Sequence, residues 1–242
     1  MRAEEAIDLS KVLFLDIETV PQEWEWEKLD PITASLFNEK TRYEQERTGR
    51  DVSMIYSDRA GILSEFGKIV CIGVGRMHCE NDQWSLRVTS FHGDDERALL
   101  QQFADLSDRY YNTDEHWLCG HNAKEFDFPF IARRCVVNSV QLPRSLRISG
   151  RKPWEVGHLD TMSLWCFGDR KAYTSLALLA HILGIPTPKD DIKGADVARI
   201  YHAEHDIDRI ARYCRKDVIA TAQLYLRLTG REIIPATHIT EV

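Results

Sequence analysis

No stretch of this chain approaches the ~20 consecutive apolar residues of a membrane-spanning helix. The first ten residues carry Glu4, Glu5 and Asp8 and lack the apolar centre of a secretion signal, so a cytoplasmic protein is expected. Cysteine occurs six times, as Cys71, Cys79, Cys119, Cys135, Cys166 and Cys214, and never as C-x-x-C. Neither a zinc ribbon nor a thioredoxin-type redox pair is therefore indicated. Thiols that sit in apolar runs are expected to be buried and reduced. His78-Cys79 and Cys119-Gly-His121 lack a second pair at matching spacing, so they make no structural metal site. Repeats and low-complexity tracts are missing. A positive balance is missing too: 31 Lys and Arg stand against 38 Asp and Glu, a formal charge of −7. That sign argues against a sequence-independent nucleic-acid coat or a binder of anionic membranes. It leaves open an enzyme with a small cationic or metal-filled cleft. At 242 residues the chain has no room for a polymerase or a full helicase motor, and one large α/β domain is expected.

The chain does hold apolar runs of strand length. Residues 11–16 (Lys-Val-Leu-Phe-Leu-Asp) read as a buried strand that delivers Asp16 at its end. Residues 68–75 and 83–91 read as two further strands, 116–119 as a short fourth and 158–164 as a fifth. Asp94 or Asp95 caps a helix through Ala98, Leu99, Leu100, Phe103 and Leu106; a second helix spans about 127–138. Thr174 or Ser175 caps a third, which stops at Gly184, and residues 194–229 are mostly helical. Residues 21–60 are polar and read as an inserted segment, helical or irregular and variable, that cannot be placed on a standard element. The expected architecture is a central mixed five-stranded sheet flanked by helices. In such sheets ligands bind at the carboxyl ends of strands.

Three local patterns carry chemistry. In Asp16-Ile17-Glu18-Thr19 a strand's period of two turns both carboxylates to one side. Two charges that close are costly unless something cationic lies between them. This composition yields about 1.5 D-x-E matches by chance, so context matters; Asp94–Glu96 is such a match and reads as a helix cap. Asn122-Ala-Lys-Glu-Phe126-Asp127 opens a helix after a short strand, and a match of that form arises by chance only about 0.03 times. Its plain alternative is that Asp127 caps the helix. In Tyr213-Cys-Arg-Lys-Asp217 the i, i+4 spacing sets phenol and carboxylate on one helix face. Carboxylates gathered without cationic side chains are the donor set of Mg²⁺ or Mn²⁺. Two such ions suit in-line displacement at phosphorus.

In this order the three motifs resemble the Exo I, II and III motifs of the DEDD superfamily of 3′–5′ exonucleases, with the ribonuclease H-like fold. The Tyr-x3-Asp form is similar to the DEDDy branch; the His-x4-Asp form of the sister branch is absent, since Arg212 stands five before Asp217. The segments at 68–75, His158-Leu-Asp-Thr-Met and 189–197 resemble those of stand-alone exonucleases related to the proofreading domain of family-B DNA polymerases. The resemblance covers roughly residues 10–229, apart from 21–60. It implies that Asp16, Glu18, Asp127 and Asp217 hold two divalent cations, with Tyr213 positioning the attacking water. It implies that Thr19, Asn122 and Phe126 contact the terminal nucleotides, and leaves Asp160 as an indirect support or a plain strand end. The implied substrate is a single-stranded or frayed 3′ end, DNA favoured over RNA, and any polymerase or repair partner acts in trans.

Between 124 and 152 the bases are Lys124, Arg133, Arg134, Arg144, Arg147, Arg151 and Lys152, and the acids only Glu125 and Asp127. That run either tracks a phosphate backbone or forms a solvated face. Lys189 and Lys193 flank an acidic loop and are weaker candidates for a phosphate. Trp24 and Trp26 either stack a base or pack inside. A haloacid dehalogenase-type phosphatase is a rival enzyme, but its chemistry needs Asp-x-Asp. A non-catalytic nucleic-acid-binding domain is the rival from another class.

Overall fold

A computed structural model describes residues 7–169, 173–186 and 192–242. The first apolar run extends to a strand, β1 (Val12–Pro21). Its alternation divides the molecule. Leu13, Leu15 and Ile17 enter a core on one face of the sheet, and Val12 and Phe14 enter a second core on the other.

The inserted segment, left open between helical and irregular by its sequence, holds two helices, α1 (Pro31–Thr48) and α2 (Val52–Arg59). Asp30 caps α1 through the N–H groups of Ile32 and Thr33, with Pro31 in the first turn. Asp51 caps α2. Phe37, Ile55, Tyr56 and Phe66 close a small core of their own there.

β2 (Gly67–Glu80) and β3 (Gln83–His92) form the expected antiparallel meander. Asn81 and Asp82 both have positive φ in the tight turn between them. Asp95 caps α3 (Glu96–Tyr110) through the N–H of Ala98. β4 (Trp117–Gly120) pairs parallel with β1 and leads to α4 (Asp127–Val137).

β5 corrects the expected strand over 158–164. It is only Leu159–Asp160, parallel to β4. The Asp160 carboxylate accepts from the N–H groups of Met162 and Ser163 and turns the chain into α5 (Thr161–Cys166). Ser175 caps α6 (Leu176–Ile182). α7 (Val197–Arg199) runs on into a π-helical turn, Ile200–Glu204, before the long α8 (Ile207–Leu228). β6 (Ile239–Glu241) then pairs parallel with β3. The sheet thus has six strands, in the order β5-β4-β1-β2-β3-β6, where the sequence predicts five. The sixth is a three-residue edge strand with no apolar run to announce it. In class the fold is the expected one: mixed, α/β and ribonuclease H-like.

α3 and α4 cover one face of the sheet and α8 the other. α8 lies close because β2 is bare where it crosses. A Cβ on Gly73 would sit 2.9 Å from both Cys214 Sγ and Val218 Cγ2, and one on Gly75 would sit 2.8 Å from Val218 Cγ1. On the opposite face Arg134 of α4 and Glu96 of α3 form a buried, two-pronged ion pair, with Nη2–Oε2 at 2.6 Å and Nε–Oε1 at 2.8 Å. Arg134 therefore leaves the basic run that sequence offers to a phosphate backbone. No helix among the described residues is long and apolar enough to cross a membrane. Lys189, with the acidic pair Asp190 and Asp191, lies outside the described residues.

Candidate active site

β1 delivers Asp16 and Glu18 to the face that α8 covers. Carboxylate oxygens of these two residues and the sulfur of Cys214 all lie within 4.8 Å of one another. Pairing with β2 shifts by one residue between Glu18 and Thr19, so this end of β1 is bulged where the carboxylates stand. Asp127 arrives from the other side. It is the first residue of α4, and its Oδ1 accepts the N–H of Ile17, between the two acids, at 3.1 Å. That bond, rather than a cap on α4, is its structural role: Phe126 holds the cap position and no side chain caps there. From α8, Tyr213 and Asp217 are hydrogen-bonded to each other and lie close enough to act electrostatically on the β1 carboxylates.

The electrostatics are those of unneutralised acids. Burial first, then the Asp217 and Asp127 carboxylates, raises the Asp16 carboxyl well above its ordinary range. Burial and then Asp16 and Asp217 raise Glu18 in the same direction. Asp127 is pushed up to about 7, chiefly by burial. The Tyr213 hydroxyl is raised by burial and by Asp217, so it remains protonated and a donor at any ordinary pH. Among the described residues no cationic side chain offsets this repulsion at the four groups, and mutual repulsion of this kind is what a bound cation relieves.

Cys214 is the member that the sequence reading missed. Its Sγ stands 3.4 Å from the Asp16 carbonyl oxygen and 3.5 Å from Asp16 Oδ2, and burial keeps the thiol protonated. The only signal was its place inside the Tyr213–Asp217 pattern, on the side of α8 that meets β2.

Asn122 and Phe126 share the loop that leads to Asp127. Asn122 takes a left-handed conformation, φ 61°, and Phe126 packs against Phe130 with the rings tilted at 49° and their centroids 5.4 Å apart. Thr19 follows Glu18 at the bulge. None of the three side chains hydrogen-bonds a carboxylate of the cluster. Asp160 holds that loop from below: beyond capping α5, it accepts the N–H of Asn122 at 3.1 Å and of Lys124 at 3.0 Å. His121 is fully engaged by Thr161 Oγ1 and the Thr174 carbonyl, which supports a structural reading. Trp24 stacks on His202 and Trp26 packs against Phe37 and Tyr56.

A family model described as a predicted 3′–5′ exonuclease related to the exonuclease domain of PolB matches residues 62–232, more than two thirds of the chain. The match takes in Asp127, Tyr213 and Asp217. It starts after β1, so it is shorter than the span from residue 10 that sequence resemblance suggested. On that match, the chain belongs to the family of predicted 3′–5′ exonucleases related to the exonuclease domain of PolB.

Proposed function

We propose that this chain is a single-domain, metal-dependent 3′–5′ exonuclease. It hydrolyses the terminal phosphodiester of a single-stranded or frayed 3′ end and releases nucleoside 5′-monophosphates. The observation that carries the reading is the meeting, at one end of β1, of acids from three separated segments that repel one another, with no cation acting on Asp16 among the described residues. Asp16, Glu18, Asp127 and Asp217 are the residues that hold two divalent cations, Mg²⁺ or Mn²⁺. All four offer hard oxygen donors, and Cys214, a protonated thiol, is a poor partner for such ions. When bound, these ions lower the pKa of a water and stabilise the leaving oxygen.

The remaining work falls to the protein's own groups. Tyr213 stays protonated, so it acts as a hydrogen-bond donor that orients the attacking water and not as a base; its bond to Asp217 fixes the phenol. Asp127 ties the start of α4 to β1 through Ile17 and so sets the distance between the two halves of the acid cluster. Thr19, Asn122 and Phe126 stand beside the cluster, where the terminal nucleotide binds. The relation of the family to PolB favours DNA over RNA as the substrate. Matched digestions of 5′-labelled single-stranded DNA, single-stranded RNA and recessed or mismatched duplexes, with Mg²⁺ and with Mn²⁺, test the reading. Folded protein that leaves every substrate intact refutes it.

A further inference from the structure

The basic run at 124–152 divides once it is folded. Arg134 is buried against Glu96, and Arg144 is paired with Asp114 at 3.1 Å. Arg133 and Arg151 are exposed and pair with no carboxylate among the described residues. Together with Lys124 they line a cavity of about 580 Å³ between α4 and the segment 142–156, and Glu125 is the only acid in its wall. Apart from Ser149 and Gly150, the rest of the wall is apolar. Pro129, Ala132 and Val136 form a stripe at helical spacing along the outer side of α4, and Leu142 and Ile148 face them. Val136 is 71% exposed, although Phe128, Ile131 and Cys135 on the inner side of the same helix are fully buried. A second cavity, of about 690 Å³, shares Ile148, Arg151 and Val156 with the first and continues to Trp117, at the start of β4.

The groove begins at the loop that carries Asn122 and Asp127, because Lys124 and Glu125 belong to both. It then leads away from the carboxyl end of β1 toward the opposite end of the sheet. Exposed Arg133 and Arg151, beside an apolar stripe, match one kind of ligand: a chain of phosphates whose base faces are free to lie on apolar surface. A duplex hides those faces by stacking, and a net charge of −7 makes a local surplus of three bases over one acid a deliberate attractor for an anion.

We propose that this groove holds the single-stranded segment on the 5′ side of the scissile end, with Arg133 and Arg151 on its phosphates and the stripe on α4 under its bases. The inference rests on the nuclease reading above and names the strand that its site receives. The test compares the wild-type chain with the double variant Arg133→Ala/Arg151→Ala and with a control, Arg42→Ala/Arg47→Ala. The control removes two exposed arginines from α1 and changes the net charge equally.

Binding of a fluorescent DNA strand of about 20 nucleotides, longer than the ~4–16 that such a groove spans, is followed by anisotropy in EDTA across a salt series. The slope of log affinity against log salt should fall by about 1.4 in the groove variant, from ~0.7 per phosphate contact on a single strand. It should hold in the control. Release of the terminal nucleotide from a dinucleotide, with Mn²⁺ present, should be unchanged in both. An unchanged slope in the groove variant, or an equal loss in the control, overturns the groove; a groove that serves a protein partner gives the first of these. Failure of the wild type to cleave even the dinucleotide strikes the nuclease reading instead, and the binding series still reads the groove.

Discussion

Replacing Arg134 by Met separates what a buried cation does from what an exposed one does. The Arg134 side chain is 3% exposed and that of Glu96 7%. The guanidinium donates twice to Glu96 and once, from Nη1, to the Ser64 carbonyl at 2.9 Å. Without it, Glu96 keeps two donors, the Ile69 N–H at 2.7 Å and Asn138 Nδ2 at 2.8 Å, and Ser64 loses an acceptor's partner. Breaking such a pair from one side costs about 3–5 kcal/mol, because the other charge stays buried. At ~2–4 °C per kcal/mol for a chain of this size, the melting temperature should fall by roughly 6–20 °C. Urea unfolding read by tryptophan fluorescence gives the free energy directly. Adding Glu96→Gln removes the stranded charge but keeps an acceptor for Ile69, so the double variant should be more stable than Arg134→Met alone. Single-strand affinity, measured well below the melting point, should not change, because Arg134 reaches no solvent. Stability within about 0.5 kcal/mol of wild type, the range of an ordinary surface change, refutes the reasoning. So does lost strand affinity in a fully stable protein, which would put the guanidinium at the substrate.

Asp16→Ala should abolish nuclease turnover while the metal-free protein melts no lower than wild type, since one of several repelling carboxylates is gone. The stabilisation that Mg²⁺ gives the wild type in a melting assay should vanish with it, and a variant that still cleaves discards Asp16 as a ligand. Tyr213→Phe should fold and bind cation normally but lose about 10²-fold in kcat, the usual loss for one aligned donor; steady-state kinetics at saturating substrate decide. His158 donates to the Ser145 carbonyl and accepts from the Leu118 N–H, which only the neutral ring can do, and burial lowers its pKa. Its contribution is therefore present above the unfolded value of ~6.5 and lost as pH falls below it. The urea midpoint should drop between pH 7.5 and 5.5 more steeply than in His158→Gln, and parallel profiles would count against this. Gly73→Ala should cost about 1–3 kcal/mol by pushing α8 off β2, readable as a lower urea midpoint; an unchanged midpoint means that α8 is free to shift.

The elements legible in the sequence are those that bury a continuous apolar run on both faces, as β1 and β2 do, or a single apolar face, as β3, α3, α4 and α8 do. β1, β2, β3, α3, α4 and α8 each show an apolar run or a stripe at the right period. α1 shows none because its apolar residues Ile32, Leu36 and Tyr43 face solvent and only Phe37 and Thr41 are buried, although Asp30-Pro31 marks its start. β5 was overextended because Met162 and Leu164 continue an apolar pattern after Asp160 has already closed the strand. β6 exists only through its pairing to β3, and nothing local to Ile239–Glu241 encodes it. At the site, the period of two and the i, i+4 spacing placed Asp16 with Glu18 and Tyr213 with Asp217. A count of charges along the chain could not tell the buried Arg134 from the exposed Arg133, because helical geometry turns neighbours to opposite sides.

β1 stands outside the family match, yet the matched region cannot close without it. In the order β5-β4-β1-β2-β3-β6 it is the one strand that joins the β4–β5 pair to the meander. It pairs with β4 through Val12, Leu13 and Phe14, and with β2 from Leu13 to Pro21. Both principal cores draw on it, one through Leu13, Leu15 and Ile17, the other through Val12 and Phe14. Without it the two halves of the sheet would expose unpaired edges and two half-cores. We infer that residues 12–21 and 62–232 fold as one unit. Asp16 and Glu18, the proposed metal ligands, are then carried by the strand on which the rest of the domain is assembled, the position where two side chains are held most rigidly.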